Sequence, residues 1–169
     1  MKASTRRRLV KLAAKYQPPY TPMEIAMAST TRPLAIEKRQ AQLDAIRAAL
    51  DNLKFADYPT EQDWNDVADA PNLLDTFIAF GWVKDPDGLM MDAVNGMWRA
   101  MERVRSGKAL RLDADGLVAI ETVIDDYEAH LAVISERNAL QAQTVTHEEI
   151  WRAQRGMKSK RFAERIIVQ

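Results

Sequence analysis

Apolar side chains recur along this chain at steps of three and four residues, the spacing that lines one face of an α-helix. Over 34–53, Ile36, Leu43, Ile46, Leu50 and Leu53 keep that rhythm, with Arg39 at the remaining seam position and good helix formers between them. A second helix opens at Thr60, where Glu61, Asp63 and Asp66 suit the positive end of the helix dipole, and Gly81 stops it. Trp64, Val67, Leu74, Phe77 and Ile78 form its apolar face. Pro71 lies inside that span and is expected to kink the helix or divide it. A third helix over 89–105 carries Met90, Val94, Met97, Met101 and Val104, with Trp98 beside the stripe. A fourth starts from an N-cap at Asp113 or Asp115 and aligns Leu117, Ile120, Ile124, Tyr127, Leu131 and Ile134. Its pattern fades over 136–143, where the helix either ends or runs on as a polar rod. Thr146 then caps a shorter fifth helix through Ile150 and Trp151.

No segment shows the period-two alternation of a sheet, so the sequence predicts an all-α fold, an antiparallel bundle of four to five helices. The prolines at 18, 19 and 22 end any helix begun in the basic N-terminal segment. Residues 1–33 therefore read as a basic, proline-containing arm whose apolar patch at 23–28 clips onto the body. Residues 34–143 form the bundle, and 144–169 supply a short helix and a basic tail. A kink at Pro71 would leave part of the fourth helix's seam uncovered, which points to a homodimer paired through that helix or the Trp82 turn.

Charge changes the picture more than composition does. The 24 basic and 24 acidic residues cancel over 169 positions, yet they are segregated. Residues 1–40 carry nine basic side chains against two acids, 41–150 carry nine against 21, and 151–169 carry six against one. The result is a body of charge −12 between ends of +7 and +5. Cysteine is absent, which removes disulfides, thiolate zinc sites and a cysteine nucleophile. No apolar run is long enough to span a bilayer, and Lys11 interrupts the only leader-like stretch, so a cytoplasmic protein with no membrane partner is expected.

Strings that resemble catalytic or metal motifs lack an essential member. His147-Glu148-Glu149-Ile150-Trp151 begins like a zinc-protease helix, but Trp151 stands where the second histidine is needed. Asp113-Ala114-Asp115-Gly116 opens like a calcium loop, but Leu117, Val118 and Ile124 occupy positions five, six and twelve. Ser106-Gly107-Lys108 lacks the first glycine of a phosphate loop and the following hydroxyl. Asp125 and Asp126 point apart on a helix, and His130 has no Ser or Cys at an informative spacing. No cofactor, metal ligand or catalytic residue is assigned, and a non-enzymatic protein is expected.

Two kinds of contact residue remain. Trp64 and Trp98 belong with the core stripes, whereas Trp82 and Trp151 are candidate partner-binding anchors. Arg6, Arg7, Arg8 and Lys11 at one end, with Arg152, Arg155, Lys158, Lys160 and Arg161 at the other, are candidate phosphate contacts for nucleic acid.

The layout of arm and helices carries a resemblance. Arg6-Arg7-Arg8 precedes Pro18-Pro19 and the patch Pro22-Met23-Glu24-Ile25-Ala26-Met27. Asp63-Trp64-Asn65 opens a helix continuing Val67-Ala68-Asp69-Ala70-Pro71-Asn72-Leu73-Leu74, and a later helix spans Leu117 to Leu131. Over 5–140 this resembles a family of small helical proteins, without assigned activity, encoded by bacteriophages and prophages of proteobacteria. Pro71 and the basic C-terminal extension depart from it. The resemblance implies a mobile-element accessory protein inside the bacterial host cell. It would bind and modulate a host or competitor macromolecular complex, with counter-defence of the anti-CRISPR kind as one form. The alternative is a regulatory accessory that binds nucleic acid through its basic ends.

Overall fold

The structure, a computed structural model, describes residues 16–85 and 88–157. The candidate contacts Arg6, Arg7, Arg8, Lys11, Lys158, Lys160 and Arg161 lie outside the described residues. Among the described residues the fold is all-α. The helices are α1 (Pro22–Met27), α2 (Ile36–Phe55), α3 (Glu61–Ala79), α4 (Leu89–Arg105), α5 (Ala114–Leu131) and α6 (Glu136–Ala153). Helix starts follow local chemistry. Thr21 with Glu24 and Thr60 with Asp63 form capping boxes, and Asp113 and Ser135 each accept a backbone N–H from the first turn of their helices.

Helix α3 is the hub and packs against α2, α4, α5 and α6. Its buried residues run all round the cylinder, from Trp64 and Val67 through Pro71, Asn72 and Leu73 to Phe77, as expected of a helix enclosed by others. Pro71 does not divide it. The proline sits buried within one continuous helix, and enclosure of its whole surroundings offsets the one missing backbone donor. Phe77 stacks on Tyr127 of α5 at 5.8 Å between ring centroids. Trp64, Ile46, Ile120 and Met97 complete the centre, each large apolar side chain contributing roughly 1.5–3 kcal/mol on burial.

The contacts are antiparallel where they can be traced. Arg47 of α2 pairs with Asp125 and Glu128 of α5, while Lys54, further along α2, pairs with Glu121, earlier on α5. Helices α4 and α5 cross on two glycines: a Cβ on Gly96 would stand 2.6 Å from the Gly116 Cα. Arg99 holds the same crossing with a bidentate hydrogen bond to Asp113, at 2.7 and 2.9 Å.

Three expectations are corrected. The fourth helix ends at Leu131, and a turn leads to a full-length α6 capped by Ser135. Thr146 is therefore a buried mid-helix residue, and a bundle boundary at 143 falls inside α6. Trp98 is 42% exposed beneath the Arg105 guanidinium instead of lying in the core. Ile36, counted with the first seam, faces outward.

The arm attaches by backbone more than by its apolar side chains. Ser29 and Arg32 carbonyls accept the N–H groups of Arg137 and Glu136 at 2.9 and 2.8 Å, and Ser29 N–H donates to the Glu136 carboxylate. These bonds satisfy donors that the first turn of α6 cannot pair itself. Met23 and Met27 remain exposed.

Candidate functional site

Two places combine accessible side chains with a fixed frame. The first is the corner between α2 and α3. Phe55 and Tyr58 are 78% and 91% exposed there, although the residue between α2's last turns, Leu53, is anchored in the core. The corner is held from several sides. Arg111 donates to the Lys54 carbonyl at 2.7 Å and to the Ala56 carbonyl. Asn52 donates to Asp63 at 2.7 Å, and the Asp63 carboxylate also receives the Thr60 N–H and hydroxyl. Those bonds, Thr60's first, hold the Asp63 carboxyl below its ordinary range. Asp51, Asp57 and Glu61 lie exposed along the same stretch of chain. The result is two exposed aromatic side chains on a hydrogen-bonded stretch of backbone in an acidic setting.

The second is a cleft of about 470 Å³ enclosed by α2, α3, α6 and the arm residues Pro19 and Tyr20. Leu34, Leu73 and Ile150 give it apolar walls, while Gln42, Asp69 and Gln143 give it polar groups. Gln143 donates to the Gln42 side-chain carbonyl at 3.2 Å. Asp69 is half-buried and has no cation within ion-pairing distance among the described residues. Burial, and next the Asp66 carboxylate, push its carboxyl up to about 7. Tyr127 lies deeper, in the core behind the cleft, and is not one of its lining residues. It is fully buried, and its hydroxyl is within reach of Gln42 and Asp69 but makes no hydrogen bond of good geometry. Burial, then the Asp69 charge, raise its pKa above the ordinary value. Beside the cleft, Thr76 donates to the Asn72 carbonyl, which leaves Thr146 as the donor in their 2.6 Å hydroxyl pair.

The residues expected to make contacts are placed differently from these. Trp82 is half-buried and packs on Phe80 and Phe77, with centroids at 4.7 and 6.2 Å. Trp151 is half-buried between the Tyr16 ring at 5.2 Å and the Arg155 guanidinium at 4.2 Å, and its indole N–H is buried without an acceptor. Arg152 pairs with Glu148 at 3.7 Å. The seam of α5 expected to pair two copies lines the monomer's own core: Ile120, Ile124, Tyr127 and Leu131 are all buried. His147 lies on the wall of the cleft, and His130 pairs with Asp126 at 3.3 Å.

Sequence reasoning missed Phe55, Tyr58, Asp69 and Tyr127. Phe55-Ala-Asp-Tyr58-Pro59 read as a helix break, and its two aromatic residues in a polar turn were the available signal. Asp69 had a signal too, because it falls between Val67, Ala68 and Ala70 in an apolar stretch. Tyr127 belonged to the stripe, and nothing in its spacing marks an unpaired hydroxyl.

Among the described residues, no helix is long and apolar enough to cross a membrane, and no three His, Asp or Glu side chains are grouped to hold a metal ion. No protein-family model, characterised protein or solved structure matches the chain.

Proposed function

We propose that this is a non-enzymatic accessory protein of a phage or other mobile element that binds and modulates a host or competitor protein complex. Its target is a basic, nucleic-acid-handling surface, which the chain occupies from the α2–α3 corner. The observation that carries this reading is the pair Phe55 and Tyr58, presented on a hydrogen-bonded corner among Asp51, Asp57 and Glu61. Exposed aromatic side chains on a backbone already held in place act as docking anchors. The −12 charge of 41–150 would steer the chain toward a cationic surface and away from free nucleic acid. The mobile-element setting rests on the resemblance of the arm and helices, and counter-defence is its most concrete form.

The test is capture from a bacterial host lysate with the full chain, followed by competition. Wild type is expected to retain a protein that heparin or duplex DNA displaces, and Phe55→Ser with Tyr58→Ser is expected to lose it. Both positions are exposed, so the double variant should fold as wild type does. Retention that ignores the double substitution, or resists both polyanions, would overturn the reading. The second reading draws on the basic ends, with Arg152 and Arg155 their described members. It predicts a direct gel shift of duplex DNA whose log affinity falls by about 0.9 per log unit of salt for each phosphate contacted.

A further inference from the structure

We infer that residues 16–33 form a strap that lifts from the bundle as one unit, and that its lifting opens the cleft between α2, α3 and α6. The inference does not rest on the α2–α3 corner.

The strap runs antiparallel along α6 and is attached at both ends. Near its start, the Tyr16 hydroxyl donates to the Thr144 carbonyl at 3.2 Å, and the Tyr16 ring lies 5.2 Å from that of Trp151 and 5.8 Å from that of His147. Near its end, the Ser29 and Arg32 carbonyls accept the N–H groups of Arg137 and Glu136. There the Arg137 guanidinium also donates to the Ala26 carbonyl, and Pro33 faces Ser135 in an isolated antiparallel bridge. Arg137 and Trp151 stand about 20 Å apart along the axis of α6.

What holds the strap is polar and shallow. From Tyr16 to Pro33 no residue is buried, and the first buried one is Leu34, where the bundle begins. Two spaces lie beneath it. One is the cleft of about 470 Å³, with Pro19 and Tyr20 on its wall, and the other, of about 430 Å³, has Met23 and Met27 on the strap side and Leu140 on α6. An element seated over gaps forfeits the dispersion contacts of a close fit. Its hydrogen bonds lie at or near the surface, where water replaces them at small net loss. Closure carries a cost as well. The Arg137 Nε–H and the Trp151 indole N–H, at the two ends, are buried without an acceptor, and water that reaches them offsets part of what lifting loses. The bundle differs, because α3 and α5 bury Trp64, Phe77, Ile120 and Tyr127 almost completely. Lifting withdraws Pro19 and Tyr20 from the cleft and leaves Leu73 and Ile150 to face water. It also melts α1, since six residues do not sustain an isolated helix. The bonds from Ile25 N–H to Thr21 and from Ala28 N–H to Glu24 therefore last only while the strap is seated.

Amide exchange followed by NMR on the full chain is the test. The Ile25, Ala28, Glu136 and Arg137 amides are expected to share one opening reaction, about a hundredfold or more less protected than the amides of α3 and α5. Fraying of α6 alone would free Glu136 and Arg137 but would not respond to Tyr16. Tyr16→Ala, which removes the attachment at the far end, should speed exchange at Glu136 and Arg137 by about threefold or more and leave α3 and α5 as in wild type. In the other direction, Arg137→Ala should shift the Trp151 indole N–H resonance. A soluble nitroxide should broaden the Leu73 and Ile150 methyl signals more strongly in the Tyr16→Ala, Arg137→Ala double variant than in wild type. The wild-type exchange pattern needs no substitution and stands even where a variant folds poorly. Ile25 and Ala28 amides as protected as those of α3 and α5 would overturn the inference. So would effects of Tyr16→Ala confined to 144–151, equal acceleration in α3 and α5, an unmoved Trp151 resonance, or nitroxide broadening that does not change.

Discussion

Asp69 ties the stability of the fold to a single proton. Its carboxyl titrates near 7 in the folded chain against an ordinary value of 3.8, so the folded state holds a proton that the unfolded state has released. That contribution is complete below the unfolded value and disappears as pH rises through about 7. Asp69→Asn keeps the shape and removes the titration. Chemical denaturation should find the variant more stable than wild type by roughly 1–3 kcal/mol at about pH 8, and nearly equal at about pH 4. A constant difference across that range would deny the shift. The threonine pair is the other test at this scale. Thr146→Val leaves the Thr76 oxygen without its 2.6 Å donor in a buried setting, at a cost of about 1–3 kcal/mol. Exchanging both residues for valine should cost less than the two single changes together, and a double-mutant cycle reads the difference.

Two joints between elements are equally specific. Helices α4 and α5 approach so closely at Gly96 and Gly116 that a methyl group on Gly96 meets the facing backbone at 2.6 Å. Gly96→Ala must push the helices apart, and a loss of about 1–3 kcal/mol in the free energy of urea unfolding is expected. A neutral result would mean that the crossing adjusts. At the α2–α3 corner, Arg111 bridges the carbonyls of Lys54 and Ala56. Arg111→Ala should cost about 1–2 kcal/mol in stability. It should also weaken capture of the partner by loosening the backbone that carries Phe55 and Tyr58.

For the molecule as a whole, the question is whether the bundle closes alone. The seam of α5 is consumed internally, and α3 runs on through Pro71 with buried residues on both sides of it. A division of α3 at Pro71 therefore supplies no reason for two copies to pair. Light scattering should return a mass near 19.2 kDa that stays constant into the micromolar range. A mass near twice that value would show that two copies pair.

The sequence by itself determined the helical class, the start at Thr60, a start at Asp113 or Asp115, and the bounds of α4. Period, caps and breakers are local, and the three- and four-residue rhythm survives any arrangement of the helices. It also determined the charge segregation, which depends on composition alone. The tertiary structure decided the rest. It decided that α3 is central, so that Pro71 is tolerated and Asp69 is driven into a half-buried position by neighbours from α2 and α6. It decided that 136–153 is one helix, because arm carbonyls at Ser29 and Arg32 pair its first N–H groups across about a hundred residues of chain. It turned Trp98 outward and left Phe55 and Tyr58 exposed, since which face of a stripe finds a partner depends on the other helices. The cleft is the clearest instance: Gln42, Asp69 and Gln143 come from three helices, and no spacing along the chain brings them together.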